Sequence, residues 1–150
     1  MNKILMVFAS MSGNTEEIAN LVAEGIKQAG SEIEIKEIFQ ANAEELMDYD
    51  GILLGTYTWG DGELPDDFLD FYDELDGLDL KGKKAAVFGS GDHAYIHFCA
   101  AVDILEGKLQ ECGAELVQAG LKIEMSPAGQ EVELCKSFGK HFASELLSIG

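Results

Sequence analysis

The sequence predicts an α/β protein whose doubly wound, five-stranded parallel sheet is covered by helices on both faces, giving three layers. Two observations lead to this prediction. Short strand-like segments alternate along the chain with stretches of helical spacing. The first strand is also a continuous apolar run, as expected for a central parallel strand buried on both faces. With 150 residues, we expect a single domain over residues 1–150.

The first half of the chain contains three predicted strands. The first is the apolar run Ile4 to Ala9, and the helix after it has apolar residues at helical spacing until Gly30 ends it. Residues 32–38 alternate with period two, which indicates an edge strand. A short helical stretch near residues 43–47 then leads to a buried strand over residues 51–56.

The second half continues the alternation of helices and strands. It contains a helix over 66–75, a strand over 84–90, a helix over 98–112, a last strand over 114–124 and a final helical stripe over 132–146. This gives five strands and five helices in total. In such sheets ligands bind beyond the carboxyl ends of the strands. The loops after the first, third and fourth strands are therefore the candidate site.

Composition excludes some classes of function. The chain has 28 acidic residues against ten lysines, no arginine and a net charge of −18, which argues against nucleic-acid binding. Cys99, Cys112 and Cys135 lack C-x-x-C spacing and suit free thiols in a reducing compartment. The N-terminus resembles a strand rather than a signal peptide, and the apolar runs are too short to span a bilayer. We expect a cytoplasmic, monomeric protein without membrane association.

The first candidate loop, residues 10–15, has the sequence SMSGNT and follows the first strand directly. Backbone N–H groups at a helix start, together with the helix dipole, attract anions. Hydroxyl and amide donors in this loop add to that attraction, while Gly13 allows close approach. The loop lacks both the lysine of a Walker A motif and the G-x-G-x-x-G pattern. It predicts a phosphate site without a cation; an ordinary turn capped by Asn14 or Thr15 is the alternative.

The second and third loops each carry an aromatic residue. The second, residues 56–65, holds Trp59, the only tryptophan, beside glycines that permit unusual dihedrals. The third, residues 89–95, holds Tyr95. Two exposed aromatics on neighbouring loops would sandwich one flat ring, although Trp59 packed on its own helix is an alternative. A flat ring joined to a phosphate is typical of flavin mononucleotide (FMN).

These three loops and their spacing resemble those of the flavodoxins, specifically the short-chain subgroup, over essentially the whole chain. The resemblance implies the strand order 2-1-3-4-5, for which flavodoxin is the standard example. It also implies non-covalent FMN, with Trp59 and Tyr95 flanking the ring. The phosphate would be held by Ser10, Met11, Ser12, Gly13, Asn14 and Thr15, and the ring by Thr56, Tyr57, Thr58, Trp59, Gly60, Asp61, Ser90, Gly91, Asp92, Tyr95 and Cys99.

The resemblance implies an electron carrier and not an enzyme. Such a protein shuttles single electrons at low potential, between semiquinone and hydroquinone. A flavodoxin-like quinone or NAD(P)H reductase and an FMN-binding activator of a radical enzyme are the alternatives. The absence of arginine disfavours a site for a nucleotide phosphate. A response-regulator receiver domain is excluded, because Ala9-Ser10 and Tyr57-Thr58 stand where it needs acidic residues.

The acidic residues are unevenly distributed. Fourteen lie between Lys36 and Lys81 without any basic residue, and nine of these fall within Asp61 to Asp79. A solvated acidic face is one interpretation. We favour a docking face for basic redox partners, because it begins at the predicted ring site. The resemblance suggests a flavodoxin or ferredoxin reductase and low-potential acceptor enzymes.

Overall fold

The computed structural model describes residues 3–10, 13–58, 63–91, 99–124 and 127–147. Its centre is a parallel sheet in the order β2-β1-β3-β4, and both pieces of the last strand pair with β4. The predicted 2-1-3-4-5 order is therefore confirmed. The strands are β1 (Ile4–Phe8), β2 (Ile33–Glu37), β3 (Gly51–Tyr57), β4 (Lys84–Gly91), β5 (Glu115–Leu116) and β6 (Leu121–Glu124).

Four α-helices cover the sheet within the described residues, and none of them is long and apolar enough to cross a membrane. Their bounds agree with the predicted ones to within a few residues. The edge position of β2 is also confirmed, and its residues are only partly buried. The helices are α1 (Asn14–Gln28), α2 (Asp66–Glu74), α3 (Ala100–Glu111) and α4 (Gln130–Leu147).

The helical stretch predicted near residues 43–47 differs from the expected α-helix. The connection from β2 to β3 instead contains two 3₁₀ helices, Ile38–Gln40 and Ala43–Asp48. This connection must run from the carboxyl end of β2 back to the amino end of β3, on the far side of β1. A 3₁₀ helix rises about 2.0 Å per residue, against about 1.5 Å for an α-helix, and so covers the distance with fewer residues.

The last strand is interrupted, whereas a single strand over 114–124 was predicted. Residues 117–120 separate β5 from β6. Within this interruption the Gln118 side chain contacts α4, because its Nε2 donates to the Phe138 carbonyl at 3.0 Å. Gly120 passes close to α3, since a Cβ at this position would lie 2.7 Å from the Val102 side chain. The Val117 N–H still donates to the Ala85 carbonyl of β4 at 3.1 Å, so contacts to the two flanking helices take the place of strand pairing over residues 118–120 only.

Two hydrophobic cores lie on opposite faces of the sheet. Successive β1 side chains point to opposite faces, so that Leu5 and Val7 enter one core and Ile4 and Met6 enter the other. The first core is completed by α2 and α3, and the second by α1 and α4. Each fully buried aliphatic side chain of this kind contributes about 1.5–3 kcal/mol. Because the sheet is buried on both faces, its strands are held in place, and so are the strand ends that the candidate loops follow.

Candidate functional site

The sheet brings the three candidate loops to one edge. They follow β1, β3 and β4, which are neighbours in the sheet. The register aligns Phe8 with Gly55 and Tyr57 with Ser90, so these strands end side by side. Residues far apart in sequence are thereby gathered at the carboxyl edge, where ligands bind in doubly wound sheets.

The first loop forms the N-terminus of α1. Gly13 is the residue before the helix, with φ of 90°, and a Cβ there would meet no atom within 4 Å. The left-handed conformation, rather than crowding, therefore requires glycine. The hydroxyl of Ser10 accepts hydrogen bonds from the backbone N–H groups of Gly13 at 3.1 Å and Glu16 at 3.3 Å. The alternative cap by Asn14 or Thr15 is thus not the arrangement found.

A buried hydroxyl pair joins the first loop to the end of β4. Thr15 Oγ1 lies 2.7 Å from Ser90 Oγ, and the two residues are 1% and 3% exposed. The Ser90 carbonyl accepts the N–H of Thr58 at 3.2 Å. Thr58 Oγ1 in turn accepts the N–H of Ala101 at 3.4 Å. The predicted site residues of all three loops are thus linked, which no spacing in the sequence signalled.

Tyr57 connects the second loop to α2. Its hydroxyl donates to Asp67 Oδ2 at 3.2 Å. Burial, followed by the charge and hydrogen bond of Asp67, raises the pKa of Tyr57 to about 12, so the phenol stays protonated at neutral pH. Thr56 is fully buried, and its hydroxyl donates to the Tyr57 carbonyl at 2.8 Å. The Thr56 hydroxyl is therefore engaged with the backbone of the next residue.

Cys99 begins α3 in an unusual conformation. Its φ of 53° makes it the one non-glycine residue with positive φ among those described. Burial raises the pKa of its thiol to about 12, and Sγ donates weakly to the carbonyls of Gly89 and Ile123, each at 3.9 Å. A neutral, buried thiol is a poor nucleophile. A backbone contact from Cys99 to a ligand stays a prediction.

Seven predicted site residues lie outside the described part of the chain, and their roles stay predictions: Met11, Ser12, Trp59, Gly60, Asp61, Asp92 and Tyr95. Gly91, the last residue of β4, is half-buried opposite Glu124. No cluster of three or more metal-binding side chains occurs among residues that the structure describes.

The donors around the first loop fit a phosphate group. They are neutral hydroxyls at a helix start, where the dipole favours an anion, and the N–H groups of Gly13 and Glu16 already donate to Ser10 Oγ. The open space beside Gly13 permits close approach to its backbone. Glycine at position 89 is likewise required, because a Cβ there would lie 2.5 Å from the Thr56 carbonyl oxygen. This packing keeps the second and third loops adjacent.

Known proteins that are similar to this chain agree with the flavodoxin resemblance of its sequence. The family model of the flavodoxins matches residues 6–139. The chain belongs to the flavodoxin family. A probable flavodoxin 2 of Bacillus subtilis (strain 168) is 48% identical over 146 residues, covering 97% of each chain. The crystal structure of oxidised flavodoxin 1 from Bacillus cereus is 56% identical, with a TM-score of 0.93, and covers 95% of this chain and 98% of its own.

A more distant flavodoxin, from Maridesulfovibrio salexigens, is 43% identical over 88% of this chain and 92% of its own. Membership of the family confirms the predicted class of function, an FMN-dependent electron carrier. It also confirms the prediction of an electron-transfer protein rather than an enzyme.

Proposed function

We propose that this flavodoxin carries single electrons at low potential from a reductase to acceptor proteins, cycling between the one-electron and two-electron reduced states of its FMN. The hydrogen-bonded junction of three loops at the carboxyl edge is the observation that best supports this role. FMN supplies the one-electron chemistry. The chain binds and orients the cofactor, shields it from water and sets its potential.

The loops have distinct tasks in this proposal. The N-terminus of α1 and the hydroxyls of Ser10 and Thr15 hold the phosphate without a cation. The second and third loops hold the ring, with Trp59 and Tyr95 on its two faces. No lysine occurs between Lys36 and Lys81 to offset the negative charge of the 61–79 stretch, and Lys108 pairs with Asp76 near the far end of it. That charge opposes addition of the second electron.

The effect of this charge on the potential follows from Coulomb's law. One unit charge about 10 Å away costs roughly 0.4 kcal/mol in a water-like dielectric. That equals about 20 mV per acidic residue. The nine acidic residues of the 61–79 stretch, screened by salt over about 10 Å, lower the second potential by an amount on the order of 100 mV.

Charge neutralisation on α2 tests this effect. Replacing Asp66, Asp67 and Asp70 by Asn should raise the second potential by roughly 30 mV, a third of the screened effect of nine acids, measured by anaerobic redox titration. The matched control replaces Glu32, Glu34 and Glu115 by Gln, because these exposed residues lie towards the opposite edge of the sheet. Equal shifts in both triple variants would contradict a local effect of the α2 acids.

Cofactor binding is tested by the visible spectrum of the purified protein before and after anaerobic photoreduction. A yellow protein whose bands change at half reduction, before they bleach at full reduction, supports the proposed cycle. A protein that stays colourless after FMN is added would overturn it. If the oxidised spectrum changes directly into the fully reduced one, FMN binding is still supported. The one-electron cycle is then contradicted.

We place the docking face for basic redox partners on α2 and the connection before β3. A groove of about 380 Å³ lies there, lined by acidic and apolar residues. Phe39 at its rim is 75% exposed and gives the groove an apolar contact surface beside its acidic residues. Asp67 links the groove to Tyr57 of the ring loop. The lining is Ile38, Phe39, Ala41, Asp66, Asp67, Asp70, Phe71 and Glu74.

Transfer kinetics test the docking face. Oppositely charged surfaces steer association, so the rate of reduction by a flavodoxin or ferredoxin reductase should fall steeply as ionic strength rises. Phe39→Ser should slow transfer further at every salt concentration. Leu134→Ser is the matched control, because Leu134 is 51% exposed on α4. A rate independent of salt would favour the alternative, a merely solvated acidic face.

A further inference from the structure

The open edge of the sheet at β2 carries an inference about how this chain meets a second copy of itself. We propose that two copies pair through their β2 strands, antiparallel and about a two-fold axis at Ile35. Phe39 of each copy then enters a depression at the amino end of the other copy's β2. The loops of the FMN site follow other strands, so the inference does not depend on electron transfer.

Strand β2 has one side of its backbone available for pairing. Among the strands that the structure describes, β2 pairs with β1 alone. Half of the N–H and C=O groups of an edge strand point away from the sheet and can pair with another chain. The Glu37 N–H is one of them, because it donates to the Gln40 side chain at 3.3 Å and not to β1. By alternation along the strand, the N–H groups of Ile33 and Ile35 point the same way.

The charged side chains of β2 are complementary to one another in this register. With the axis at Ile35, Glu34 of each copy lies opposite Lys36 of the other, on the same face of the joined sheet. An axis moved by one residue would place Glu34 opposite Glu34 or Lys36 opposite Lys36, so the charges favour the axis at Ile35. Lys36 Nζ already lies 2.5 Å from Glu45 Oε1, but an ammonium group has three hydrogens and can bond to both carboxylates.

The same axis brings an exposed aromatic side chain to a depression in the second copy. Phe39 directly follows β2 in the chain and is 75% exposed. The antiparallel register places it level with Ser31 of the other copy, which lines a depression of about 480 Å³. Ile33, Tyr49 and the aliphatic part of Lys27 offer apolar surface there, with room for a phenyl ring. Because the axis is two-fold, the contact is made twice.

Net charge determines the conditions under which the pair forms. Each copy carries a charge of −18, so two copies repel each other. Salt at about 0.1 M screens this repulsion over about 10 Å, whereas the apolar contact of Phe39 is not screened. Self-association should therefore strengthen as ionic strength rises, opposite to the docking of a basic partner. The paired strands are short, so we expect a dissociation constant on the order of 100 µM at high salt.

Sedimentation equilibrium of the purified protein, in a series of sodium chloride concentrations, measures this association. Phe39→Ser should weaken it by about ten-fold or more, because the buried phenyl ring is lost from both contacts. Leu134→Ser is the matched control, since Leu134 is also a large exposed apolar residue, 51% exposed, but lies on α4. This control should associate as the native protein does.

Charge reversal tests the register. Glu34→Lys leaves lysine at both paired positions and Lys36→Glu leaves glutamate at both, so each variant alone should associate more weakly than the native protein. An equal mixture of the two should recover native association, because every lysine then lies opposite a glutamate. The two reversals change the net charge in opposite directions, so general repulsion in the mixture stays close to that of the native pair. Thermal unfolding checks that Lys36→Glu, which also loses the ion pair with Glu45, remains folded.

The outcomes separate this inference from the proposed function. A native protein that stays monomeric at about 1 mM in high salt would overturn the inference, because half of it should be paired well below that concentration. Native association of the Phe39→Ser variant, or a mixture that associates no better than its components, would overturn it too. If Phe39→Ser slows reduction by a reductase while the native protein stays monomeric, Phe39 serves redox partners only. Self-association of a protein that binds no FMN would instead refute the proposed function and leave the pairing intact.

Discussion

The two helical layers of this flavodoxin are held to the sheet in different ways. Helices α1 and α4 approach backbone to backbone, since a Cβ at Gly25 would overlap the Lys136 carbonyl and one at Gly139 would overlap the Val22 carbonyl. In the other layer a Cβ at Gly107 of α3 would meet nothing within 4 Å. Gly107 is exposed, so the comparison sets glycines at a helix–helix contact against a glycine on the open face of a helix.

The layer of α2 and α3 also contains polar contacts. The Lys108 amino group of α3 reaches Asp76 just beyond α2, and it also lies 4.8 Å from the centre of the Tyr72 ring. Hydrogen bonding to Asp76 raises the pKa of Lys108, so this amino group remains charged at neutral pH. The acidic groove borders the same layer. Charge and exposed apolar surface are thus gathered on the side proposed to meet partners.

The largest expected difference between the layers is in the response to a single methyl group. Gly139→Ala should lower the free energy of unfolding by about 3 kcal/mol, because backbone atoms of α1 must move away. Gly107→Ala should raise it by about 0.5–1 kcal/mol, because alanine favours the helix and finds open space. Urea unfolding measures both. Similar effects of the two substitutions would contradict the contrast in packing.

A smaller effect concerns the carboxyl group of Glu106 on α3. Burial first, and then the charge of Asp103, raise its pKa; the Lys122 charge and the Gly120 N–H oppose this shift. The folded protein therefore binds this proton more tightly than the unfolded chain. The resulting stability is full below the ordinary carboxyl pKa and is lost as pH rises through the raised value.

Removing this charge should therefore stabilise the protein at pH 7. Glu106→Gln is expected to raise the melting temperature at neutral pH and to change it little near pH 4, at roughly the ordinary carboxyl pKa. Thermal unfolding across that range measures the difference. Glu111→Gln, on the exposed side of the same helix, is the control. A gain that is equal at both pH values would show that the Glu106 charge is not its source.

The smallest effect is the order in which the thiols react. Burial raises the pKa of all three, to about 12 for Cys99 and about 11 for Cys135. Cys112, at the end of α3, is only half-buried, whereas the other two are fully buried. When the native protein is alkylated, Cys112 should react before the other two thiols. Its reaction should still be slower than that of an exposed thiol, because its pKa is raised. Mass spectrometry identifies the modified residue. Earlier modification of Cys135 would mean that the α1/α4 layer opens more readily than its packing indicates.

The sequence predicts the sheet better than the segments between strands. Apolar runs and period-two alternation located the strands and the edge position of β2, because burial on both faces or one face determines those patterns. The interruption at residues 117–120 has no such signature. It depends on Gln118 meeting the Phe138 carbonyl and on Gly120 lying against α3, and both are tertiary contacts.

For the site too, the sequence predicts the position of the loops better than the contacts between them. Small polar residues after buried strands indicated the loops, and the sheet order placed them together. The bond between Thr15 and Ser90 joins residues 75 positions apart and follows no motif. Phe39 was also missed, because it lies before the acidic stretch, directly after the alternating strand. The signal that could have indicated Phe39 is a large apolar residue just beyond the end of an edge strand.

The lysine-free span from residue 37 to residue 80 has a practical consequence for attaching this protein to a surface. Amine-coupling reagents react with lysine, and none of the ten lysines lies in the span that includes α2 and Phe39. Random coupling through lysine side chains should therefore leave the acidic groove unmodified. An electrode coated in this way would present many molecules with the proposed docking face still open to partners in solution.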